Sequence, residues 1–276
     1  TLSELIQPAM RPKAGLVALM SANNETGVMQ PIDQAARLCR EQGVLLHVDA
    51  TQSIGKVPLS LSQLGAAAVT FSAHKFHGPP GIGALWLDEA VALRPLLHGG
   101  EQQLESRPGT EPVALICGLA RALQLATTEL SEVQPRLRSL RDRLEQGLRS
   151  RHPELVVHGC SSSATPPSDP GQPALGQPSP PRLPNTSCLS FPGADRQSML
   201  MALDFAGIAL SSGSACSSGS SPPSHVLLAM GKSSTLVQSA LRLGVSKFST
   251  VSEIDHAIER ISVCDNRLCK KNSVEN

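Results

Sequence analysis

Tyrosine is absent from the 276 residues, tryptophan occurs once and phenylalanine five times, so aromatic side chains make up only 2% of the chain. The core must rest on Leu, Val, Ile and Ala. An excess of either charge is also missing, with 24 Lys and Arg against 23 Asp and Glu. That balance removes the electrostatic case for nucleic acid or an anionic membrane surface as a partner. No apolar run approaches the roughly 18–20 residues that span a bilayer. Residues 1–30 lack the charged start and long apolar block of a signal peptide. The seven cysteines are odd in number and include no CxxC pair, so neither a disulfide framework nor a metal site is expected. Free thiols in a reducing, cytoplasmic setting are expected instead.

From Gly15 onward the pattern alternates between two periods. GLVALMS is a short, nearly continuous apolar run, as in a strand covered on both faces. Residues 32–42 carry Ile32, Ala35, Ala36, Leu38 and Cys39 at helical spacing and stop at Gly43, a plausible C′ residue. VLLHVDA, AAAVTFS and GALWL read as three further strands. Strand–helix–strand alternation with short connections predicts an α/β layer with a mostly parallel sheet.

Residues 111–150 read as one or two long helices, with a break or kink at Pro135, which lacks the N–H and clashes with the preceding turn. Residues 161–184 contain eight prolines and few large apolar side chains, and are expected to form an extended surface insertion. A linker between two independent domains is the alternative. Beyond it, TSCLSF and SALRLGVS read as strands and IALSS begins another. Asp195 can cap a helix running to about Phe205, and a second helix covers residues 224–230. Thr250 and Glu253 form a capping box for a last helix through about Val263, after which the polar end is expected to fray. The expected domains are residues 1–112 as a large domain, 113–150 as connecting helices, and 151–276 as a smaller C-terminal α/β domain carrying the insertion 161–184.

Three stretches carry the chemistry. Lys75 directly follows AAAVTFS and precedes the Gly/Pro-rich loop HGPPGIG; strand ends in open α/β sheets are where ligands bind. A lysine amine becomes a nucleophile when desolvation or a neighbouring charge lowers its pKa. Ser72 and His74 beside it offer a hydroxyl and an imidazole to a phosphate. A lone loop lysine is ordinarily just solvated, so neighbouring motifs must decide. Asp49 ends the strand of HVDATQS, where a carboxylate is costly unless something cationic meets it. Taken alone, an Asp ending a strand is more often the N-cap of the next helix. Gln52 lies three residues on, and His47 reads as a packed histidine. Cys216 lies in ALSSGSACSSGSSPPS, among serines and glycines rather than core residues. A thiolate there could act as a nucleophile, whereas Cys39, Cys117 and Cys188 lie within apolar patterns and read as structural.

Together, HVDATQSIGK and FSAHKFHGPPGIGALW closely resemble the fold-type I pyridoxal-phosphate (PLP) enzymes of the class V aminotransferase group, and within them the NifS/IscS-like cysteine desulfurases. SANNETGVMQPI, HGGEQQLESRPGTEPV, SSGSACSSG and SALRLGVSKFSTVSEID extend the resemblance from about Gly15 to Ile261. The resemblance implies a partial large domain and a smaller C-terminal α/β domain. It makes Lys75 the Schiff-base lysine, with Asp49 at the pyridinium nitrogen and Gln52 at the phenolic oxygen. Ser72, His74 and Thr110 would bind phosphate, Thr110 that of the partner subunit in a homodimer. Asn24 would contact cofactor or substrate, and Arg242 would grip the substrate carboxylate. Cys216 would take sulfur from L-cysteine, leaving alanine, and pass it to acceptors such as an iron–sulfur scaffold.

Other expectations rest on the same resemblance. The family's glycine- and threonine-containing phosphate loop and its ring-stacking histidine would lie upstream of Thr1, as would any mitochondrial transit peptide. The chain opens on Thr rather than Met and reads as lacking its N-terminal portion. Selenocysteine lyase is an alternative activity with the same fold and cofactor. A non-catalytic scaffold subunit built on a remnant of the PLP fold is an alternative of another class.

Overall fold

The computed structural model describes residues 15–160, 179–213 and 222–272. Contacts divide the chain into two compact units: Gln30–Ser131 together with the stretch up to Ala22, and Asn23–Met29 together with Glu132–Asn276.

The first unit holds a four-stranded sheet in the order β1 (Leu16–Met20), β2 (Leu45–Asp49), β3 (Ala68–Ser72), β4 (Gly83–Leu87). The first two pairings are parallel, with Met20 opposite Asp49 and Asp49 opposite Thr70, and β3–β4 is antiparallel. Between β1 and β2 runs helix α1 (Ile32–Glu41), whose buried stripe Ile32, Ala35, Ala36 and Cys39 packs with Leu46, Val48 and Val69. Helix α2 (Val113–Thr128) contributes Leu119, Ala122, Leu123 and Ala126 to a second cluster around Ile54, Phe71, Ala73 and Phe76. Gly55 is required here: its φ is +70°, and a Cβ would lie 2.9 Å from the Ala126 methyl.

Among the described residues, only one face of this sheet is covered. Alternate side chains point away from the core (Leu16, Ala18 and Met20 on β1; Leu45, His47 and Asp49 on β2; Thr70 and Ser72 on β3; Leu85 on β4). Leu16 is 56% exposed, Leu45 48%, Leu85 48% and Met20 40%. The apolar run GLVALMS predicted cover on both sides, and the described residues supply it on one.

The second unit has a three-stranded antiparallel sheet, β5 (Val156–Val157), β6 (Thr186–Ser190), β7 (Ala240–Gly244). Around it lie α3 (Leu130–Arg151), α4 (Arg196–Phe205), α5 (His225–Ala229), α6 (Ser234–Gln238) and α7 (Val251–Asn272). Leu140, Leu144 and Leu148 of α3, Met199 and Leu203 of α4, and Ile254, Ile258 and Ile261 of α7 close one core over Leu189 and Leu241. Asp195 caps α4 by accepting from the Ser198 N–H at 2.8 Å, and that bond holds its carboxyl below the usual carboxylate range. The Thr250–Glu253 box opens α7: the Thr250 N–H donates to Glu253 Oε2 at 2.7 Å, and the Glu253 N–H donates to Thr250 Oγ1 at 3.2 Å.

Several expectations need correction. Pro135 breaks nothing: α2 ends at Thr128, α3 starts at Leu130, and Pro135 lies inside α3 near its start. Pro135 is the sixth residue of α3, so its missing N–H removes one bond, to the Ser131 carbonyl, without ending the helix. The last helix continues past Val263 to Asn272. The segment IALSS forms no named strand, only a bridge from Ser211 to Arg242. The proline-rich stretch lies outside the described residues over 161–178, but its end is firmly built in. There the Met29 N–H donates to the Pro181 carbonyl at 2.8 Å, and Leu183 is wholly buried. Cys39 and Cys188 are buried, but Cys117 is exposed on α2. Among the described residues no single helix is long and apolar enough to cross a membrane.

Candidate functional site

Because β1, β2 and β3 run parallel, their carboxyl ends meet at one edge of the first unit's sheet. Backbone bonds lock that edge: the Ser21 N–H donates to the Asp49 carbonyl at 2.8 Å, and the Ala50 N–H to the Thr70 carbonyl at 2.9 Å. Ser21 Oγ donates to the same Asp49 carbonyl at 3.0 Å and also pairs with Ser53 Oγ, and both serines are buried. This hydroxyl pair fixes the turn after β2 from beneath.

Asp49 ends β2 on the uncovered face, half-buried, with Oδ1 accepting from the Thr51 N–H at 2.8 Å. That bond orients the carboxylate and leaves Oδ2 for another donor. The N-cap reading of Asp49 does not hold: the chain continues into a series of turns rather than a helix, and the bond to Thr51 is that of an Asx-type turn. His47, two residues earlier on the same face, bonds Thr70 across the strands (Nε2 to Oγ1, 3.0 Å) and is packed as expected. Gln52 lies half-buried in the turn. Its carbonyl accepts from Lys56 Nζ at 3.0 Å. Burial, and then the charge of Lys75, lower the Lys56 amine to about 8.

Ser72 ends β3 on the same face as Asp49, and the chain then makes one tight 3-10 turn over Ala73–Phe76. Ala73 and Phe76 are buried while His74 is exposed and Lys75 half-buried. The apolar pair thus anchors the turn and sends the two basic residues outward. His77, at φ 67°, closes it in the left-handed conformation, and the Gly78 N–H returns to the Ala73 carbonyl at 2.9 Å. Thr110 is exposed in the segment before α2.

The second unit holds the other pair. Arg242 on β7 is half-buried; its Nε donates to Ser211 Oγ and its Nη1 to the Asn24 carbonyl, both at 3.1 Å. Asn24 sits in a turn built by its neighbour: Asn23 Oδ1 accepts from the Glu25 N–H and the Thr26 N–H, each at 2.9 Å. Cys216 lies outside the described residues. Asn23 and Glu25 escaped the sequence reading, although the doublet Asn23–Asn24 with an acidic residue after it was a visible signal for an Asx-type turn.

Within the first unit an amine (Lys75), a carboxylate (Asp49), an amide (Gln52), a hydroxyl (Ser72) and an imidazole (His74) belong to two neighbouring strand ends. That donor set fits a phosphorylated pyridine aldehyde: an amine for the aldehyde, a carboxylate for the ring nitrogen, and neutral and basic donors for phosphate. Among the described residues no cluster of three His, Cys, Asp or Glu could hold a metal ion. A surface groove of about 890 Å³ on α3 and α7, crossed by Arg143 and Asp255, involves none of these residues.

Comparison with known proteins gives a consistent result. The family model described as Aminotransferase class-V matches residues 1–256. A "Cysteine desulfurase" of Cereibacter sphaeroides is 44% identical over 256 residues, covering 93% of this chain and 61% of that protein. "Cysteine desulfurase IscS" of Glaesserella parasuis is 38% identical, covering 92% of this chain and 58% of the relative. The chain thus spans about three-fifths of the length of these relatives. Among solved structures, a NifS-like protein from Rickettsia africae superposes with a TM-score of 0.80 at 29% identity, covering 96% of this chain and 65% of that one.

Proposed function

This chain belongs to the aminotransferase class-V family, and we propose that its activity is that of a PLP-dependent cysteine desulfurase, converting L-cysteine to L-alanine and leaving the sulfur on a protein thiol. The observation that carries the reading is the meeting of Asp49 and the Lys75 turn at the carboxyl edge of parallel strands. The 38–44% identity to proteins named cysteine desulfurase supports it.

When bound, the cofactor supplies an electron sink for the bonds at the substrate's Cα. Lys75 would hold it through its amine and, once released, carry a proton to and from the substrate carbon. Asp49, oriented by the Thr51 N–H, would keep the ring nitrogen protonated, and Gln52 would donate to the phenolic oxygen. Ser72, His74 and Thr110 would bind the phosphate, Thr110 across a homodimer. Asn24 and Arg242 would hold the substrate carboxylate, for which a planar guanidinium is suited. The Cys216 thiolate would attack the substrate sulfur; a new S–S bond forms as the Cβ–S bond breaks, giving alanine and a Cys216 persulfide. Iron–sulfur scaffold or thiolation proteins would then accept that sulfur. Free thiols such as Cys39 and Cys188 fit a reducing compartment, the cytoplasm first among them.

The test adds PLP and L-cysteine to the protein and measures cofactor absorbance, alanine and protein-bound sulfur. Lys75→Ala should lose alanine formation by on the order of a thousandfold. Cys216→Ser should keep cofactor absorbance and lose the persulfide. Persulfide formed at the wild-type rate in Cys216→Ser would remove that residue's role. Turnover of selenocysteine but not cysteine would make the protein a selenocysteine lyase, and no cofactor uptake would favour a scaffold subunit.

A further inference from the structure

Two hydroxyls lie buried under the edge that carries Asp49. Ser21, just past the end of β1, is 4% exposed, and Ser53, in the turn after β2, is 1% exposed. A buried hydroxyl is unfavourable unless bonded, and a methyl in either place would fill the space without a polar group to satisfy. What the hydroxyls add is visible in their bonds. Ser21 Oγ donates to the Asp49 carbonyl at 3.0 Å, beside the 2.8 Å bond from the Ser21 N–H to the same oxygen. Ser21 has one hydroxyl proton. With that proton on the Asp49 carbonyl, Ser21 Oγ is the acceptor in its pair with Ser53 Oγ. Ser53 Oγ also lies 3.3 Å from the Ala50 carbonyl. The bonds thus run from Ser53 through Ser21 to the residue that bears the candidate carboxylate.

The turn's other side-chain and closing bonds are local. The Thr51 N–H reaches Asp49 Oδ1 at 2.8 Å, the Ser53 and Ile54 N–H groups reach the Ala50 carbonyl at 3.0 and 2.9 Å, and Lys56 Nζ reaches the Gln52 carbonyl at 3.0 Å. The Ser21–Ser53 bond spans 32 residues. Among the described residues, it is the one side-chain hydrogen bond tying residues 50–57 to a distant part of the chain. From the other side Ile54 packs in one buried cluster with Ala73 and Phe76, the apolar anchors of the Lys75 turn. Ser53 stands between Gln52 and Ile54, so a hydrogen-bonded tie and an apolar tie meet beside Gln52.

We propose that Ser21 and Ser53 are positioning residues, holding Asp49 and Gln52 at a fixed spacing from the Lys75 turn so that one ring can meet all three. The inference rests on the PLP reading, since only a bound ring makes that spacing matter. Apolar packing resists compression but leaves the turn free to rotate about the end of β2. A hydrogen bond is directional and fixes that rotation, and groups that must act together on one ligand tolerate errors of only about 0.5 Å.

The test uses the complete protein and three variants: Ser53→Ala, Ser21→Ala, and Ser262→Ala as a control. Ser262 is a buried hydroxyl in α7 that donates to the Ile258 carbonyl at 2.8 Å, away from the candidate site. In cofactor-free Ser53→Ala, amide exchange over residues 49–55, followed by mass spectrometry, should quicken about fivefold. With PLP bound, the pH at which its visible absorbance titrates should rise by about half a unit. A ring nitrogen held less firmly by Asp49 withdraws less electron density from the lysine-bound nitrogen. The kcat for alanine formation should fall about fivefold, with KM for cysteine within about twofold of wild type. Ser21→Ala should do at least as much, because it removes the bond to the Asp49 carbonyl as well. Ser262→Ala should leave the exchange, the titration and kcat unchanged. Wild-type exchange or a wild-type titration in both Ser53→Ala and Ser21→Ala overturns the proposal, as do equal changes in Ser262→Ala, which would mark general loosening. Wild-type protein that takes up no PLP overturns the functional reading itself, and that is measured before any variant.

Discussion

In the second unit the central strand β6 has all five residues buried, whereas in the first unit every strand turns alternate side chains out of the core, including Leu16, Leu45 and Leu85 at about half exposure. The first sheet is the mostly parallel one, the type normally covered on both faces. The second is antiparallel and small, yet three long helical stripes close over it. The unit with the more self-sufficient core carries the candidate residues Asn24 and Arg242, and the unit with the open face carries the candidates Asp49, Ser72, His74 and Lys75. Stability and chemistry are thus shared out unevenly. The groups proposed to react sit on strand ends and turns, and their support is drawn from buried serines and short apolar anchors such as Ala73 and Phe76 rather than from a fully enclosed core.

The largest expected effect lies inside the closed unit. Arg182 donates to both oxygens of Glu145 at 3.0 Å, and Ser187 Oγ adds a third bond at 2.7 Å, with both charged side chains under 10% exposed. Arg182→Met strands a buried carboxylate and should cost about 3–5 kcal/mol, read from urea midpoints by far-ultraviolet circular dichroism. Arg143→Met removes a pair of similar geometry with Asp255, but its side chains are about half exposed, and the loss should be far smaller than that of Arg182→Met. Equal losses in the two variants would mean that the second unit is not as closed as its burial indicates.

Next comes the contrast of cores. Leu148 of α3 is wholly buried, and Leu148→Ala should cost about 2–5 kcal/mol through lost transfer energy and a residual cavity. Leu45→Ala, on the open face of β2, should cost under about 1 kcal/mol. The chain's single tryptophan, Trp86 on β4, belongs to the first unit, so its fluorescence reports the Leu45 variant. A large cost at Leu45 would show that this face is covered in solution, and would erase the difference between the units.

Most of the first unit could be read in advance because its elements are local. Periodicity marked α1 through Ile32, Ala35, Ala36 and Cys39, and the runs around Val48 and Val69 marked the strands. The strand end at Asp49 and the turn at Lys75 were legible from motif position. The features that escaped depend on partners far away in sequence. Leu183 looked like part of a proline-rich insertion because its burial comes from residues distant in the chain, while the Arg141 guanidinium holds its carbonyl at 2.7 Å. Pro135 looked like a breaker because sequence does not say where a helix begins to within a turn. Glu25 drew no reading at all, because its partner Ser224 is 199 positions away.

Lys56 offers the smallest effect and the only one of opposite sign. Its amine donates to the Gln52 carbonyl at 3.0 Å, and burial with the nearby charge of Lys75 lowers it from 10.5 to about 8. Below pH 8 the folded and unfolded chains both carry the proton, and the folded state bears the full cost of the charge. Between about 8 and 10.5 the folded chain gives up the proton while the unfolded chain keeps it, so stability rises with pH across that window. Lys56→Met has no such slope. It should therefore be more stable than wild type at pH 7 by of order 1 kcal/mol, solvent around the half-buried side chain and the lost hydrogen bond limiting the gain. Urea midpoints followed by Trp86 fluorescence at several pH values should show that advantage shrinking from about pH 8 toward 10.5. An advantage that stays constant or grows over the same range would mean that Lys56 keeps its proton in the folded state. The amine would then be stabilised by its carbonyl partner more than burial and Lys75 disfavour it, and the open unit would hold a buried charge as securely as the closed unit holds Arg182.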